Sequence, residues 1–225
     1  MTSLTFQIAD HGNLTVNIHH LIIAGWAGRD MAAVEHHIAE LEELGVRRPT
    51  QIPCFYRVSA HLLNPAERIQ VPGKCSSGET EFVLIPSDEG LLVGLGSDHT
   101  DRKVESYDVT VSKQMCDKPI GIQVWRYAQV QPHWDQLIMR TWRTREGQRE
   151  LYQQGPVTGL LAPEQLLGKL NEHGQLPPNT AMFCGTQPVL GELGYGDVFE
   201  MELHDPVLKR SLHHRYRVDP LPVAE

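Results

Sequence analysis

Hydrophobic and polar residues alternate along much of the chain, which is the pattern of half-buried β-strands. Two alternating stretches, Leu4–Ile8 and Leu14–Ile18, flank turn-forming residues at 10–13 and predict an opening hairpin. A continuous apolar stretch, Leu21–Ala24, predicts a third strand that is buried on both faces. Residues 1–25 are therefore expected to form an N-terminal arm of strands.

A different periodicity follows this arm and predicts helices. From Asp30 to Leu44 the apolar residues recur at steps of three and four, with Asp30 able to cap the start and Gly45 the end. Pro163–Asn171 predicts a second, shorter helix with proline in its first turn.

Short apolar stretches separated by Gly, Pro, Asn and Asp dominate the chain beyond Pro53 and predict strands. A chain of 225 residues fits one domain, so we expect a single β-rich α+β domain over residues 1–225. The predicted strands are Phe82–Ile85, Leu91–Leu95, Val109–Val111, Leu137–Trp142, Ala181–Cys184, Val198–Leu203 and Leu212–Val218.

Composition and charge narrow the classes of partner. The formal net charge is −8 and the basic residues are dispersed, so neither a nucleic acid nor an anionic membrane is the expected partner. No stretch reaches about 18 apolar residues, the length of a membrane span. The four cysteines lie far apart without a C-x-x-C pair, which favours reduced thiols and a cytoplasmic location. A small molecule or another copy of the chain is the expected partner.

Three carboxylates are spaced so that they could share one cation. Glu79 and Glu81 stand two apart on an extended segment and point to the same side, and Asp98 follows the next predicted strand. Three anionic oxygens favour Mg²⁺, Mn²⁺ or Ca²⁺ over Zn²⁺. An isolated E-x-E is more often the solvated face of an edge strand, so this hypothesis depends on the surrounding residues.

Read in order, the segments resemble the fumarylacetoacetate hydrolase superfamily from about residue 22 to residue 218. The resemblance rests on seven motifs in the family's order, since each alone is weak. The matching stretches are Gly28–Asp30 leading to His37–Leu41 (G-R-N-Y-x-x-H-x-x-E-L), Pro53–Arg57 (P-x-x-F-x-K), Glu79–Glu81 (E-x-E), Asp98–Arg102 (D-x-T-x-R), Ser112–Pro119 (K-x-x-D-x-x-x-P), Glu146–Gly155 (N-G-x-x-x-Q), and Gly185–Gln187 with Gly196–Val198 (G-T-x and G-D-V).

The chain departs from the family pattern in three places. Three extra residues separate Arg29 from His37, Arg57 replaces a lysine, and G-T-P becomes G-T-Q-P at residues 185–188. The sequence is therefore most similar to a divergent branch of the superfamily, the DUF2848 domain family.

The resemblance implies a fold and an activity. The expected fold is a mixed β-roll or sandwich with a few short helices. Such a fold leaves exposed apolar strand edges, which closed dimers commonly cover, so a homodimer is expected. The expected activity is divalent-metal-dependent hydrolysis of a C–C bond in a small 2-oxo or β-dicarbonyl acid, with Mg²⁺ first and Mn²⁺ or Ca²⁺ as alternatives. Two other classes stay open: a decarboxylase or tautomerase that needs only enolate stabilisation, and a non-catalytic binder of carboxylates.

The resemblance also implies roles for single residues. His37 and Glu40, three apart on one helix face, would activate water as a general base. On spacing alone they are equally an ordinary surface pair. Lys113 would hold the attacking water and support the metal ligands, or else pair structurally with Asp117.

Substrate binding is expected from residues that carry a charge, an amide or a hydroxyl within the matching motifs. Arg102 would anchor a substrate carboxylate, with a structural ion pair to Asp101 as the alternative. The full implied set is Arg29, Arg57, Arg102, Gln154 and Thr186.

Overall fold

The structure is a computed structural model that describes residues 1–8, 11–43 and 48–224, apart from the side chains of residues 37, 40, 41 and 43. Strands account for 50% of the residues and helices for 20%, which confirms the predicted β-rich α+β class. Within the described residues, no helix is both long enough and apolar enough to cross a membrane.

The N-terminal arm and the first helix form as their patterns predict. The two strands of the opening hairpin pair antiparallel, with Leu4 opposite Val16. The Asp30 carboxylate accepts the Ala32 N–H at 2.9 Å and so caps the helix. The predicted helix end at residues 44–45 lies outside the described residues. The elements are β1 (Thr2–Ile8), β2 (Gly12–Ile18), β3 (His20–Gly25), α1 (Met31–Glu43) and β4 (Cys54–Val58).

The rest of the chain is mainly strands joined by short helices. All but one of the predicted strands are confirmed, as is the helix predicted at Pro163. The elements are β5 (Leu63–Asn64), β6 (Arg68–Pro72), β7 (Ser76–Ser77), β8 (Thr80–Ser87), β9 (Gly90–Ser97), β10 (Thr100–Asp101), α2 (Arg102–Glu105), α3 (Val109–Gln114), β11 (Lys118–Pro119), β12 (Gln123–Arg126), α4 (Tyr127–Val130), β13 (Ile138–Arg145), β14 (Gln148–Pro156), α5 (Pro163–Leu170), β15 (Thr180–Thr186), β16 (Val198–Asp205) and β17 (Arg210–Leu221).

The strand predicted at Val109–Val111 is wrong, because this segment begins helix α3. The Asp108 carboxylate accepts the Val111 N–H at 2.9 Å and caps the helix. Branched side chains at 109–111 favour a strand by propensity, but propensity is weak compared with a cap and tertiary packing. The helix turns Lys113 inward and leaves Val111 exposed, which brings the lysine to the carboxylates.

Two main sheets organise the strands. The larger has eight strands in the order β2-β1-β12-β9-β8-β15-β3-β4, and the smaller has five in the order β14-β13-β16-β17-β6. Most neighbours are antiparallel, but β1 with β12, β15 with β3 and β17 with β6 are parallel. The arrangement confirms the predicted mixed sheet of mostly antiparallel strands.

Strand β8 is buried on both faces, so it separates two apolar cores. Phe82 and Leu84 face the core shared with the five-stranded sheet. Val83 and Ile85 face the other core, which the larger sheet forms by curling upon itself. Because side chains alternate along a strand, Glu81 lies on the same face as Val83, at one end of the curl.

Candidate metal centre

The three predicted metal ligands converge at the adjoining ends of β8 and β9. Glu79 immediately precedes β8, Glu81 is its second residue, and Asp98 immediately follows β9. The Asp98 N–H donates to the Glu79 carbonyl at 2.9 Å and ties the two segments together. One carboxylate oxygen from each residue lies within 4.8 Å of the others. This spacing allows one cation to contact all three.

Burial makes this cluster of carboxylates costly without a cation. Glu81 is 3% exposed and Asp98 is 0% exposed, while Glu79 is half-buried. Burial, and then repulsion from Asp98 and Glu79, raise the pKa of Glu81 well above its ordinary value. Burial raises the pKa of Glu79 too, against the opposing effect of Arg102. A divalent cation would remove this repulsion.

Arginine and lysine side chains flank the cluster. Arg102 Nη2 lies 3.1 Å from Glu79 Oε1, and Lys113 Nζ donates to Asp98 Oδ2. Burial favours the neutral amine of Lys113, but Asp98 and Glu79 outweigh it and raise the pKa of Lys113. Burial alone would raise the pKa of Asp98, yet Lys113 and Lys118 hold it below its ordinary value. Lys113 and Asp98 are therefore a charged pair.

Lys118 is a second lysine at Asp98. It lies inside the Ser112–Pro119 motif, which was the available signal, although Lys113 was the lysine of that motif predicted to act at the site. Its side chain is fully buried, and its Nζ lies 3.3 Å from Asp98 Oδ1. The same amine donates to the carbonyls of His99 at 2.6 Å and Cys116 at 3.1 Å, and to that of Lys113. Lysine side chains are rarely buried, so the residue type by itself predicts an exposed position for Lys118.

The donor set fits a hard divalent cation. Asp98 Oδ1 is buried and accepts no hydrogen bond within the described part of the chain, and Lys118 Nζ lies 3.3 Å from it. Most buried polar oxygens accept at least one hydrogen bond, so this oxygen keeps capacity for a cation. Mg²⁺ and Ca²⁺ prefer such oxygens, so Glu79, Glu81 and Asp98 can hold either.

The end of β15 closes a further side of the site. The Gly185 N–H donates to Glu81 Oε2 at 2.6 Å, with Gly185 at a φ of +96°. A Cβ there would meet Ala27 Cβ at 3.1 Å, so glycine permits this close approach. The next residue, Thr186, donates its hydroxyl to the Thr80 carbonyl at 2.8 Å. That bond places Thr186 beside the cluster. Its hydroxyl proton is taken up by this contact, which joins β15 to β8.

Strand β14 presents Gln153, rather than Gln154, to the interior. Gln153 is 1% exposed; its Oε1 accepts the Thr80 N–H at 3.2 Å and its Nε2 donates to Thr186 Oγ1 at 2.9 Å. Gln154 is exposed and accepts from Arg140 Nε at 3.1 Å. The amide next to the site is thus one residue earlier than the motif suggests.

The structure places Arg29 and Arg57 in other contacts. Arg29 pairs with Asp135 at 2.9 Å, and its Nε donates to the Leu160 carbonyl at 3.0 Å. Arg57 is exposed and lines a depression of about 430 Å³ with three histidines. No ligand of the cluster lines this depression, so the substrate roles of both arginines stay predictions.

Helix α1 carries His37 and Glu40, whose side chains lie outside the described residues. The His37–Glu40 base therefore stays a prediction from the sequence.

An aromatic side chain covers Lys113. The lysine Nζ lies 5.6 Å from the centroid of the Tyr56 ring, and Trp26 Nε1 donates to the Tyr56 hydroxyl at 3.2 Å. Burial raises the pKa of Tyr56 to about 12, so it remains a neutral phenol. Tyr56 lies inside the Pro53–Arg57 motif, which was the available signal for a role at the site.

Comparisons with known families and solved structures identify the family and the fold. The model of DUF2848, described as a protein of unknown function, matches residues 24–216. The chain belongs to this family. The match confirms the predicted branch, and the matching solved structures confirm the fumarylacetoacetate hydrolase-like fold. No curated protein matches the chain.

Three solved structures illustrate the fold. A crystal form of 2-keto-3-deoxyarabinonate dehydratase has a TM-score of 0.64 at 13% identity, covering 96% of this chain and 79% of that one. Cg1458 with inhibitor has 0.64 at 14%, covering 93% and 81%. The 4-oxalocrotonate decarboxylase from Pseudomonas putida G7, complexed with magnesium and adipate, has 0.56 at 13%, covering 90% and 78%. At these identities the likeness shows the fold alone.

Proposed function

We propose that the protein is a divalent-cation-dependent lyase that acts on a small 2-oxo acid through an enolate. The observation that carries the proposal is the buried cluster of Glu79, Glu81 and Asp98, flanked by Lys113 and Arg102. Solved proteins with this fold include a dehydratase complexed with magnesium and 2,5-dioxopentanoate and a decarboxylase complexed with magnesium and adipate. Their chemistry supports the proposal.

The cation, Mg²⁺ first, would act when bound as a Lewis acid that stabilises negative charge developing on a 2-oxo oxygen. The protein's own residues supply the remaining electrostatics. Asp98 and Glu79 raise the pKa of Lys113 in the metal-free protein, so its ammonium group can donate to a substrate carboxylate or oxyanion. Tyr56 against the lysine limits the water around it.

The charge of the site favours an anionic substrate. The acidic groups are Glu79, Glu81, Asp98 and Glu105, and the basic groups that face them are Arg102, Lys113 and Lys118. The acidic groups exceed the basic ones by one charge, so a bound dication would leave the site positive by one charge. A carboxylate substrate would neutralise that excess, whereas a neutral ketone or ester would not.

The test is an assay of the metal-free protein with added Mg²⁺ or Mn²⁺ on a panel of oxaloacetate, acylpyruvates and sugar-derived 2-oxo acids. The proposal expects cation-dependent release of CO₂ or water from one class of substrate. Turnover that is unchanged after exhaustive chelation would overturn it.

The second candidate is the C–C hydrolase, and the observation that favours it is the H-x-x-E spacing of His37 and Glu40 on α1. The two reactions differ in the fate of water. Hydrolysis in H₂¹⁸O puts label into a product carboxylate, whereas decarboxylation produces an unlabelled ketone before exchange and dehydration adds no oxygen. Mass spectrometry of the products at early times separates the two.

A histidine variant provides a second discrimination. For a lyase that releases CO₂, we expect His37→Ala to keep turnover within about tenfold of the wild type, since loss of CO₂ forms the enolate without a base that removes a proton. For the hydrolase, loss of a positioned base would lower turnover by roughly 10²–10⁴. His36→Ala is the matched control, because the neighbouring side chain points about 100° away on the helix. Steady-state kinetics of both variants decide between the reactions.

Cation binding is expected to release protons and to weaken as the pH falls. The pKa of Glu81 is raised, so lowering the pH protonates this ligand before an ordinary glutamate, and the proton competes with the cation. Calorimetric titration with Mg²⁺ in two buffers of different ionisation enthalpy measures the released protons. Glu81→Gln should reduce the pH dependence, with the remainder due to Glu79, whose pKa is also raised. An affinity that is constant with pH in the wild type would contradict the prediction.

A further inference from the structure

A chain of buried hydrogen bonds runs from the five-stranded sheet to the backbone of a metal ligand. Tyr216, on β17, joins His99 Nδ1 at 3.0 Å and Ser97 Oγ at 2.9 Å. Ser97 Oγ in turn accepts the Glu79 N–H at 3.1 Å. At the far end, His99 Nε2 contacts Ser76 Oγ at 2.9 Å. The four side chains in this series of hydrogen bonds are buried, with exposures of 0–1%.

Both ring nitrogens of His99 have hydrogen-bond partners, Tyr216 Oη at Nδ1 and Ser76 Oγ at Nε2. A neutral imidazole has one donor and one acceptor nitrogen, so it bridges Tyr216 and Ser76 in either tautomer. Phe199 stacks on Tyr216 and meets His99 edge to face, each at 5.7 Å between centroids. The rings therefore have little freedom to turn.

Gly78, the residue before Glu79, leaves room for the Tyr216 hydroxyl. A Cβ on Gly78 would lie 2.3 Å from Tyr216 Oη, a distance that real Cβ atoms essentially never show, and 3.0 Å from Ser97 Oγ. Only glycine lets the backbone pass this close to the hydroxyl. The approach places the phenol directly behind the segment that carries the ligand.

Glu79 needs this support because it lies outside the strand ladder. The pairing of β8 with β9 begins at Thr80 opposite Ser97, so the Glu79 N–H has no ladder partner there, and the serine hydroxyl takes that place. The Glu79 carbonyl accepts the Asp98 N–H on its other side. Glu79 is also the least buried of the three carboxylates, so less packing restrains its direction.

We propose that Tyr216 is a positioning residue that acts through Ser97 to hold Glu79 in the geometry required for the divalent cation. The inference rests on the proposed function only in requiring that the cluster binds a cation. Removal of a group that orients a metal ligand without touching the metal typically lowers the metal affinity by about 10–100-fold.

The test is calorimetric titration of the metal-free protein with Mg²⁺ alone, comparing Tyr216→Phe with Tyr127→Phe. Both changes delete one buried, hydrogen-bonded hydroxyl; that of Tyr127 donates to Glu164 at 2.7 Å and belongs to a different region. We expect Tyr216→Phe to weaken Mg²⁺ binding by about 10–100-fold and Tyr127→Phe to leave it unchanged. Both should lower the melting temperature by a few degrees.

Ser97→Ala provides a second route that does not depend on how well Tyr216→Phe folds. It should weaken Mg²⁺ binding by a similar factor, and the double variant should show no further loss, because both changes act on one N–H. Wild-type affinity in either single variant, or losses that multiply in the double variant, would overturn the positioning role. A wild-type protein that binds no divalent cation would instead overturn the proposed function, and this role with it.

Discussion

Glu81→Gln is expected to lower the Mg²⁺ affinity and the cation-dependent turnover by at least about 100-fold. This loss exceeds the effect of removing a residue that only orients a metal ligand. The amide keeps the size of the side chain, and its oxygen can still accept the Gly185 N–H, so the local backbone should not move. It removes one of three anionic ligands, and hard cations depend on ligand charge. Calorimetry of the metal-free protein and steady-state kinetics measure both effects.

The melting temperature of metal-free Glu81→Gln provides an independent test. The pKa of Glu81 is raised in the folded protein, so above that pKa the charged form costs folding free energy, and the cost disappears when the carboxylate does. Metal-free Glu81→Gln should therefore melt at or above the wild-type temperature at neutral pH. Glu105→Gln is the matched control: its carboxylate accepts from Arg102 Nη1 at 2.8 Å but does not belong to the cluster. Wild-type Mg²⁺ affinity in Glu81→Gln would refute the metal centre.

Lys118→Met is expected to lower the free energy of unfolding by about 3–5 kcal/mol, the usual effect of removing one partner of a buried charge pair. The amine is fully buried against Asp98 Oδ1 and three backbone carbonyls, so the thioether would leave several acceptors without a donor. Methionine preserves most of the side-chain volume, which separates the polar effect from a cavity. Urea denaturation monitored by tryptophan fluorescence measures the loss.

Lys103→Met is the control for this experiment, since Lys103 is exposed on α2, close along the chain to Asp98. A surface change of this kind should stay within about 0.5 kcal/mol of the wild type. A Lys118→Met protein within about 1 kcal/mol of the wild type would show that the carbonyls find other donors, and that the lysine does not hold the loop after β9.

The sequence alone determined most of the strands and the grouping of three acidic residues, because both depend on short-range patterns. Alternation identified the opening hairpin, and short apolar stretches between turn residues identified most other strands. The period of two in a strand also placed Glu79 and Glu81 on one face. Asp98 follows the adjacent strand of a hairpin, so no long-range information was needed to bring it near Glu81. Helix α1 was likewise determined by its own periodicity and its Asp30 cap.

Only the tertiary structure decided the surroundings of the ligands. A bulge in β14 breaks its alternation, so that Tyr152 and Gln153 are both buried, and a one-residue shift of this kind has no local sequence signal. Tyr216 reaches Ser97 across 119 residues, from a different sheet. The lysine on α3 turns inward because the Asp108 cap makes a helix of a segment whose propensity favours a strand.

These contacts share a physical cause. A buried cation or hydroxyl is stable only where partners from distant segments satisfy it, and those partners exist only once both sheets have packed. Lys118 is the clearest case: its residue type predicts exposure, and the buried Asp98 together with the carbonyls of residues 99, 113 and 116 reverses that prediction. Local pattern therefore specifies which carboxylates can bind a cation, and packing specifies the charges and hydrogen bonds that orient them.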